Sequence, residues 1–155
     1  MFYIFAVGIY CKYINMKYDE IVKQFQSNIF GTLTTIRSHK DPNKIWFLGS
    51  EIQQLLGHSN LTKAIKDAKL KTTENYILTK ITNERFWNEF ATNQQLGAKI
   101  RSVRFVSESG LYKLIMRSNM PDAEKFSDWV TEGILPTFRK FAEETGGDDV
   151  IFKNI

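Results

Sequence analysis

The chain has 155 residues, 43% of them hydrophobic, with a formal net charge of +4 and an isoelectric point near 9.1. That length fits one domain able to bury a core without staples, and the apolar content with only three prolines excludes a disordered chain. One cysteine, Cys11, permits no internal disulfide, and with His39 and His58 alone there is no set for structural zinc. No cofactor or metal is therefore expected, the setting reads as reducing and intracellular, and the mild basicity suits a polyanionic partner.

Met1 to Tyr13 is mostly apolar, MFYIFAVGIYCKY. It lacks the basic leader and small-residue cleavage site of a signal peptide and is far too short to span a bilayer, so no membrane partner is expected. Two readings stay open: a buried N-terminal strand, or sequence upstream of a start at Met16. Tyr18 to Gln26 suggests an amphipathic helix with Ile21, Val22 and Phe25 on one side. Phe30–Arg37 and Lys44–Leu48 read as strands of a hairpin turned at His39-Lys40-Asp41-Pro42-Asn43.

Ser50, with Gln53 three residues on, has the spacing of a capping box. Ile52, Leu55 and Leu56 give the helix behind it an apolar side, and Gly57 supplies a left-handed stop. A second helix follows, with Leu61, Ala64, Ile65 and Ala68 on one stripe and Thr62, Lys63 and Lys66 opposite. Lys69 flanks that polar side and Lys71 lies just beyond, so His58 to Lys71 sets four lysines against Asp67. Two short helices joined by a glycine turn have the outline of a helix-turn-helix. A solvated helix face carries lysines as readily as an interface does.

Thr72 to Asn83 has the β-branched content of a strand, and Glu84 to Ala91 reads as a helix gathering Phe86, Trp87 and Phe90. Asn93 to Gly97 is a polar turn. The segment Lys99 to Arg104 opens another strand and brings Lys99, Arg101 and Arg104, and alternation continues through Phe105, Val106 and Ser107. Ser109 is placed to cap a helix opening at Leu111, with Leu114 and Ile115 on its buried stripe and an end near Arg117-Ser118. Pro121 suits the first turn of the next helix, where Phe126, Trp129, Val130 and Gly133 share a face. Gly133 and Pro136 should break that run, with Phe138 and Phe141 on a last segment. EETGGDD, from Glu143 to Asp149, reads as an acidic tail or the head of a linker.

SESGLYKLIMRS, AEKFSDWV and ILPTFRK, in that order and spacing, resemble the C-terminal half of the Bro-N domain. That is the amino-terminal domain of the BRO proteins of large DNA viruses, shared with many phage antirepressors. LLGHSNLTKAI resembles an earlier block of the same family, with His58 in place of an aromatic; Phe138 stands where the family tends to be aliphatic. The resemblance implies a regulatory DNA-binding domain of a viral or phage protein, acting inside the infected cell. It equally admits a protein-interaction module that binds a repressor or host protein, or self-associates as a homo-oligomer. In the family a second, variable domain often follows.

Catalytic patterns are lacking: no glycine-rich phosphate loop, no nucleophile elbow, no metal-spaced histidines. Asp67-Ala68-Lys69 has a nuclease-like spacing but lies in a helical pattern, so an enzyme is not expected. The expected fold is α+β, a small, mostly antiparallel sheet with packed helices, including the helix-turn-helix-like pair. Residues 1–29 form an N-terminal extension, 30–142 the domain and 143–155 the tail. Ser59, Asn60, Thr62 and Lys63 would reach phosphates or base edges, while Lys66, Lys69, Lys71, Arg101 and Arg104 would neutralise phosphates.

Overall fold

A computed structural model describes residues 22–37, 44–137 and 139. Its first strand, β1 (Val22–Ser27), occupies part of the stretch whose apolar spacing suggested a helix. The spacing misleads because the sheet is buried on both faces: Val22 and Phe25 point to opposite sides of β1, and each finds a core. Tyr18 to Ile21 lie outside the described residues. Ser27 stops the strand by accepting the N–H groups of Ile29 and Phe30, 3.1 Å each. Gly31, at φ +77°, then turns the chain into β2 (Gly31–Arg37).

β2 pairs antiparallel with β3 (Ile45–Leu48), with Thr35 opposite Phe47 and Ile36 opposite Trp46. The expected hairpin therefore forms, although its turn, 38–43, lies outside the described residues. At Gly49 the chain leaves the sheet as α1 (Gly49–Leu55), and glycine permits the close approach there, since a Cβ would sit 2.9 Å from the Arg104 carbonyl oxygen. Ser50 makes no cap: the N-cap is Leu48, without a side-chain bond, and Gln53 instead donates to the Ser59 carbonyl at 3.2 Å. Glu51 accepts the Thr34 N–H and, at 2.9 Å, its hydroxyl, filling the side of β2 that β3 has left. Burial pushes the Glu51 carboxyl up, and the two Thr34 bonds oppose that.

α2 (Leu61–Asp67) carries the chain to β4 (Asn75–Thr79), shorter than the β-branched run suggested. The Thr79–Thr82 turn ends that strand, with the Thr82 hydroxyl accepting the Thr79 N–H at 2.8 Å. α3 (Glu84–Asn93) is capped by Asn83, which accepts the Phe86 N–H at 3.1 Å, and buries Phe86, Trp87 and Phe90 as expected. β5 (Ser102–Ser107) then inserts between β3 and β4. The result is a five-stranded sheet, β1-β2-β3-β5-β4, antiparallel throughout. The α+β expectation is met.

The two sheet faces define two cores. Leu33, Phe47 and Val106 meet α1, α2 and the C-terminal helices on one face. Ile36, Leu48, Phe105 and Leu78 meet α3 on the other. α4 (Glu108–Met116) is capped not by Ser109 but by Ser107, whose hydroxyl accepts the Gly110 N–H at 3.2 Å. The helix can start this early because Gly110 abuts β4's lead-in: a Cβ there would lie 2.7 Å from the Glu74 carbonyl oxygen. Pro121 precedes the N-cap Asp122 of α5 (Ala123–Asp128) instead of entering its first turn.

Gly133 does not break the helix behind it. Trp129–Ile134 widen into a π-helical segment that keeps Val130 and Ile134 in the core, and helix continues to Thr137. Gly133 leaves room for the Trp129 indole, 3.3 Å from where a Cβ would stand. That indole stacks on Phe30 at 5.6 Å, so the β1–β2 turn is clamped to the C-terminal helices. Phe138 and Phe141 lie outside the described residues.

Candidate nucleic-acid interface

α1 ends as its glycine demands. Gly57 takes φ +70°, its N–H donates to the Gln54 carbonyl, and the His58 N–H donates to the Gln53 carbonyl at 3.0 Å. The turn is buttressed by the segment after α4: the Ser118 hydroxyl donates to the Leu56 carbonyl at 2.9 Å, and Met120 packs against Gly57. Asn60 then caps α2, its Oδ1 accepting the Lys63 N–H at 3.0 Å. That commits the Asn60 carbonyl oxygen to the helix and leaves its NH₂ for a ligand. Ser59 is exposed beside it.

α2 buries Ile65 and half-buries Leu61, Ala64 and Ala68 against the first core. Thr62, Lys63 and Lys66 face solvent, as the stripe required. Lys63 pairs with Asp67 at 2.6 Å. The Lys63 bond, and the nearby charges of Lys63, Arg117 and Lys66, hold the Asp67 carboxyl below its ordinary value against a smaller opposing burial effect. Arg117, outside the predicted set of binding residues, is exposed at the end of α4. Only the packing of α4 behind the α1–α2 turn brings this cation beside α2, so no local pattern could reveal it.

Lys69 occupies the left-handed position after α2, at φ 58°, where glycine is usual. Its N–H donates to the Lys66 carbonyl, and that of Leu70 to the Ile65 carbonyl, both at 3.1 Å. Lys71 is exposed, with its backbone fixed by Glu74 and Asn75. Arg104, half-buried on β5, donates to Asn75 Oδ1 at 2.7 Å, and Asn75 Nδ2 donates to the Lys71 carbonyl. Arg104 therefore sits beside the Lys71 loop, on the sheet face that carries α2. Lys99 and Arg101 are exposed in the segment before β5. Arg101 precedes Ser102, the residue opposite Thr79 at the far end of the β4–β5 ladder from Asn75. The structure thus groups Lys63, Lys66 and Arg117, links Lys71 to Arg104, and leaves Lys99 and Arg101 apart.

Beneath this surface lies a buried carboxylate, Glu74. Lys113 Nζ lies 2.7 Å from it and the Lys71 N–H donates at 2.8 Å; these bonds hold its carboxyl down to about 2. A cleft of about 330 Å³ nearby is lined by Lys44, Ile45, Ser107, Glu108, Ser109 and Tyr112. Its lysine is engaged by the Thr73 carbonyl at 3.0 Å and by the Trp46 ring. Among the described residues no trio of His, Cys, Asp or Glu could hold a metal ion, and no helix is long and apolar enough to cross a membrane.

Residues 35–136 match the profile of the family described as the BRO family, N-terminal domain. The chain belongs to the Bro-N family. The match opens inside β2, so β1 lies ahead of it although it pairs with that strand along its whole length. A protein of Haemophilus influenzae described only as uncharacterized is 32% identical over 108 residues, covering 68% of this chain and 45% of that protein. Putative Bro-N domain-containing protein 201R of Invertebrate iridescent virus 6 is 33% identical over 101 residues, or 62% of this chain and 24% of the viral protein. Protein 019R of Invertebrate iridescent virus 3, with the same description, is 31% identical over 107 residues, or 62% and 25%. The aligned stretch thus spans less than half of each of these relatives. No solved structure matches the chain.

Proposed function

We propose that this Bro-N domain is a non-catalytic DNA-binding module of a viral or phage regulator acting inside the infected cell, with α2 as its reading element. The observation that carries the reading is the division of α2. One side is seated on the core, while Thr62, Lys63 and Lys66 stand exposed together with Arg117 from a second element. The α1–turn–α2 pair serves as a helix-turn-helix, in which phosphates meet Lys63, Lys66, Lys69, Lys71 and Arg117. Ser59, Thr62 and the Asn60 NH₂ lie at the leading end of α2, where short polar groups reach phosphates or base edges. Arg104, already bonded to Asn75, sets the loop that carries Lys71.

The test is binding to duplex and single-stranded DNA by fluorescence anisotropy across a salt series. Phosphate contacts release counterions, so log K should fall steeply with log salt, and Lys63→Ala with Lys66→Ala should flatten the duplex slope by about 1.8. Both side chains are exposed, so the melting temperature should barely move. A salt-insensitive affinity, or unchanged binding in the double variant, would remove α2 from the interface and favour the protein-interaction reading.

A further inference from the structure

Among the described residues β4 is one edge of the sheet, and its hydrogen-bonding phase is set by its neighbour. The Ser107 N–H donates to the Glu74 carbonyl at 2.9 Å. With Tyr76 opposite Phe105 and Leu78 opposite Val103, alternation turns the backbone groups of Tyr76 and Leu78 toward β5 as well. Those of Asn75, Ile77 and Thr79 then point away from the sheet. Thr79 is already used: its N–H goes to the Thr82 hydroxyl and its carbonyl accepts from Asn83 and Thr82. Among the described residues nothing takes up the outward N–H and C=O groups of Asn75 and Ile77.

Sheet edges are ordinarily guarded by charge, proline or a bulge. The opposite edge, β1, carries Lys23, whereas β4 reads NYILT, with no charge and no proline. Its Tyr76 and Ile77 are 37% and 42% exposed, and Ile81 just beyond is 97% exposed.

We propose that β4 pairs antiparallel with β4 of a second copy about a two-fold axis at Tyr76, joining two sheets into one. In that register Asn75 faces Ile77 of the other copy, and Ile77 faces its Asn75. Each pair exchanges two hydrogen bonds, so all the outward groups of Asn75 and Ile77 are satisfied while the Thr79–Thr82 turn stays intact. Tyr76 meets its counterpart as a non-hydrogen-bonded pair, the closer of the two antiparallel spacings, which favours aromatic contact. A second copy fits because an uncharged strand sets no like charges against itself. The free groups, moreover, lie symmetrically about Tyr76. This inference stands apart from the DNA reading and needs no nucleic acid.

The experiment is light scattering on the full chain across a wide concentration range, without DNA. It should show a concentration-dependent dimer. Ile77→Pro removes an outward N–H and no bond to β5, so it should give a monomer that melts close to the parent. Should that variant fold poorly, cross-linking decides. In a Cys11→Ser background, Tyr76→Cys should form a disulfide dimer under mild oxidation, since its Cα atoms would lie about 4.5 Å apart. Lys80→Cys, more than about 20 Å from its counterpart in this register, should not. A monomer at every concentration, a dimer that survives Ile77→Pro, or equal cross-linking through Lys80→Cys would overturn the proposal.

Discussion

Glu74 ties three elements together, and removing its charge tests the arrangement that holds the α2–β4 loop. Its carboxylate takes Lys113 Nζ from α4 and the Lys71 N–H from the loop, while its backbone carbonyl takes the Ser107 N–H from β5. Glu74→Gln keeps the size and one acceptor but loses the charge. The fall of its carboxyl from 4.5 to about 2 sets an upper bound of about 3 kcal/mol. Lys113 keeps 36% of its side-chain surface in water, so screening reduces this to about 1–2 kcal/mol. For a domain of this size the melting temperature should drop by about 3–8 °C at neutral pH. A depressed carboxylate stabilises above its unfolded value and loses that contribution as pH falls. The gap between parent and variant should therefore be full above about pH 4.5 and close toward pH 2. Taking the difference removes Glu51, whose raised carboxyl favours the folded state in the opposite direction, at lower pH. Equal melting at pH 7, or a gap that persists unchanged at pH 2, would refute the assigned role of Glu74.

Lys69→Gly should stabilise the fold by about 1 kcal/mol in urea titrations, because glycine takes φ 58° without a steric penalty. The same change should weaken DNA binding if the Lys69 charge is used. Gly110→Ala should destabilise by about 2 kcal/mol or more in the same assay, since the new Cβ meets a backbone oxygen at 2.7 Å that side-chain motion cannot relieve. Asp67→Asn frees Lys63 and removes a negative charge from the α2 face, so duplex affinity measured by anisotropy should rise while the melting temperature barely moves.

Much was fixed locally and could be read from the chain. The 3.6-residue spacing of Leu61, Ala64, Ile65 and Ala68 dictated which side of α2 meets the core, and Gly57 dictated where α1 stops. β5 announced itself by alternation, and α3 by its aromatic cluster; both signals need only neighbouring residues. The order of blocks from SESGLYKL to ILPTFRK carried the family. Caps were less legible: Ser107, not Ser109, caps α4 in a start that lays Gly110 against Glu74, and α1 begins at Gly49, ahead of Ser50, where the backbone is pressed onto Arg104. Val22 and Phe25 looked helical because both are buried, a property of the sheet's two covered faces that six residues of β1 cannot express. Arg117 joins the lysines, and Arg104 the Lys71 loop, only through contacts between elements far apart in sequence. Sequence period decides which side of an element is apolar; tertiary packing alone decides which charges from different elements share a surface and which strand is left at an edge.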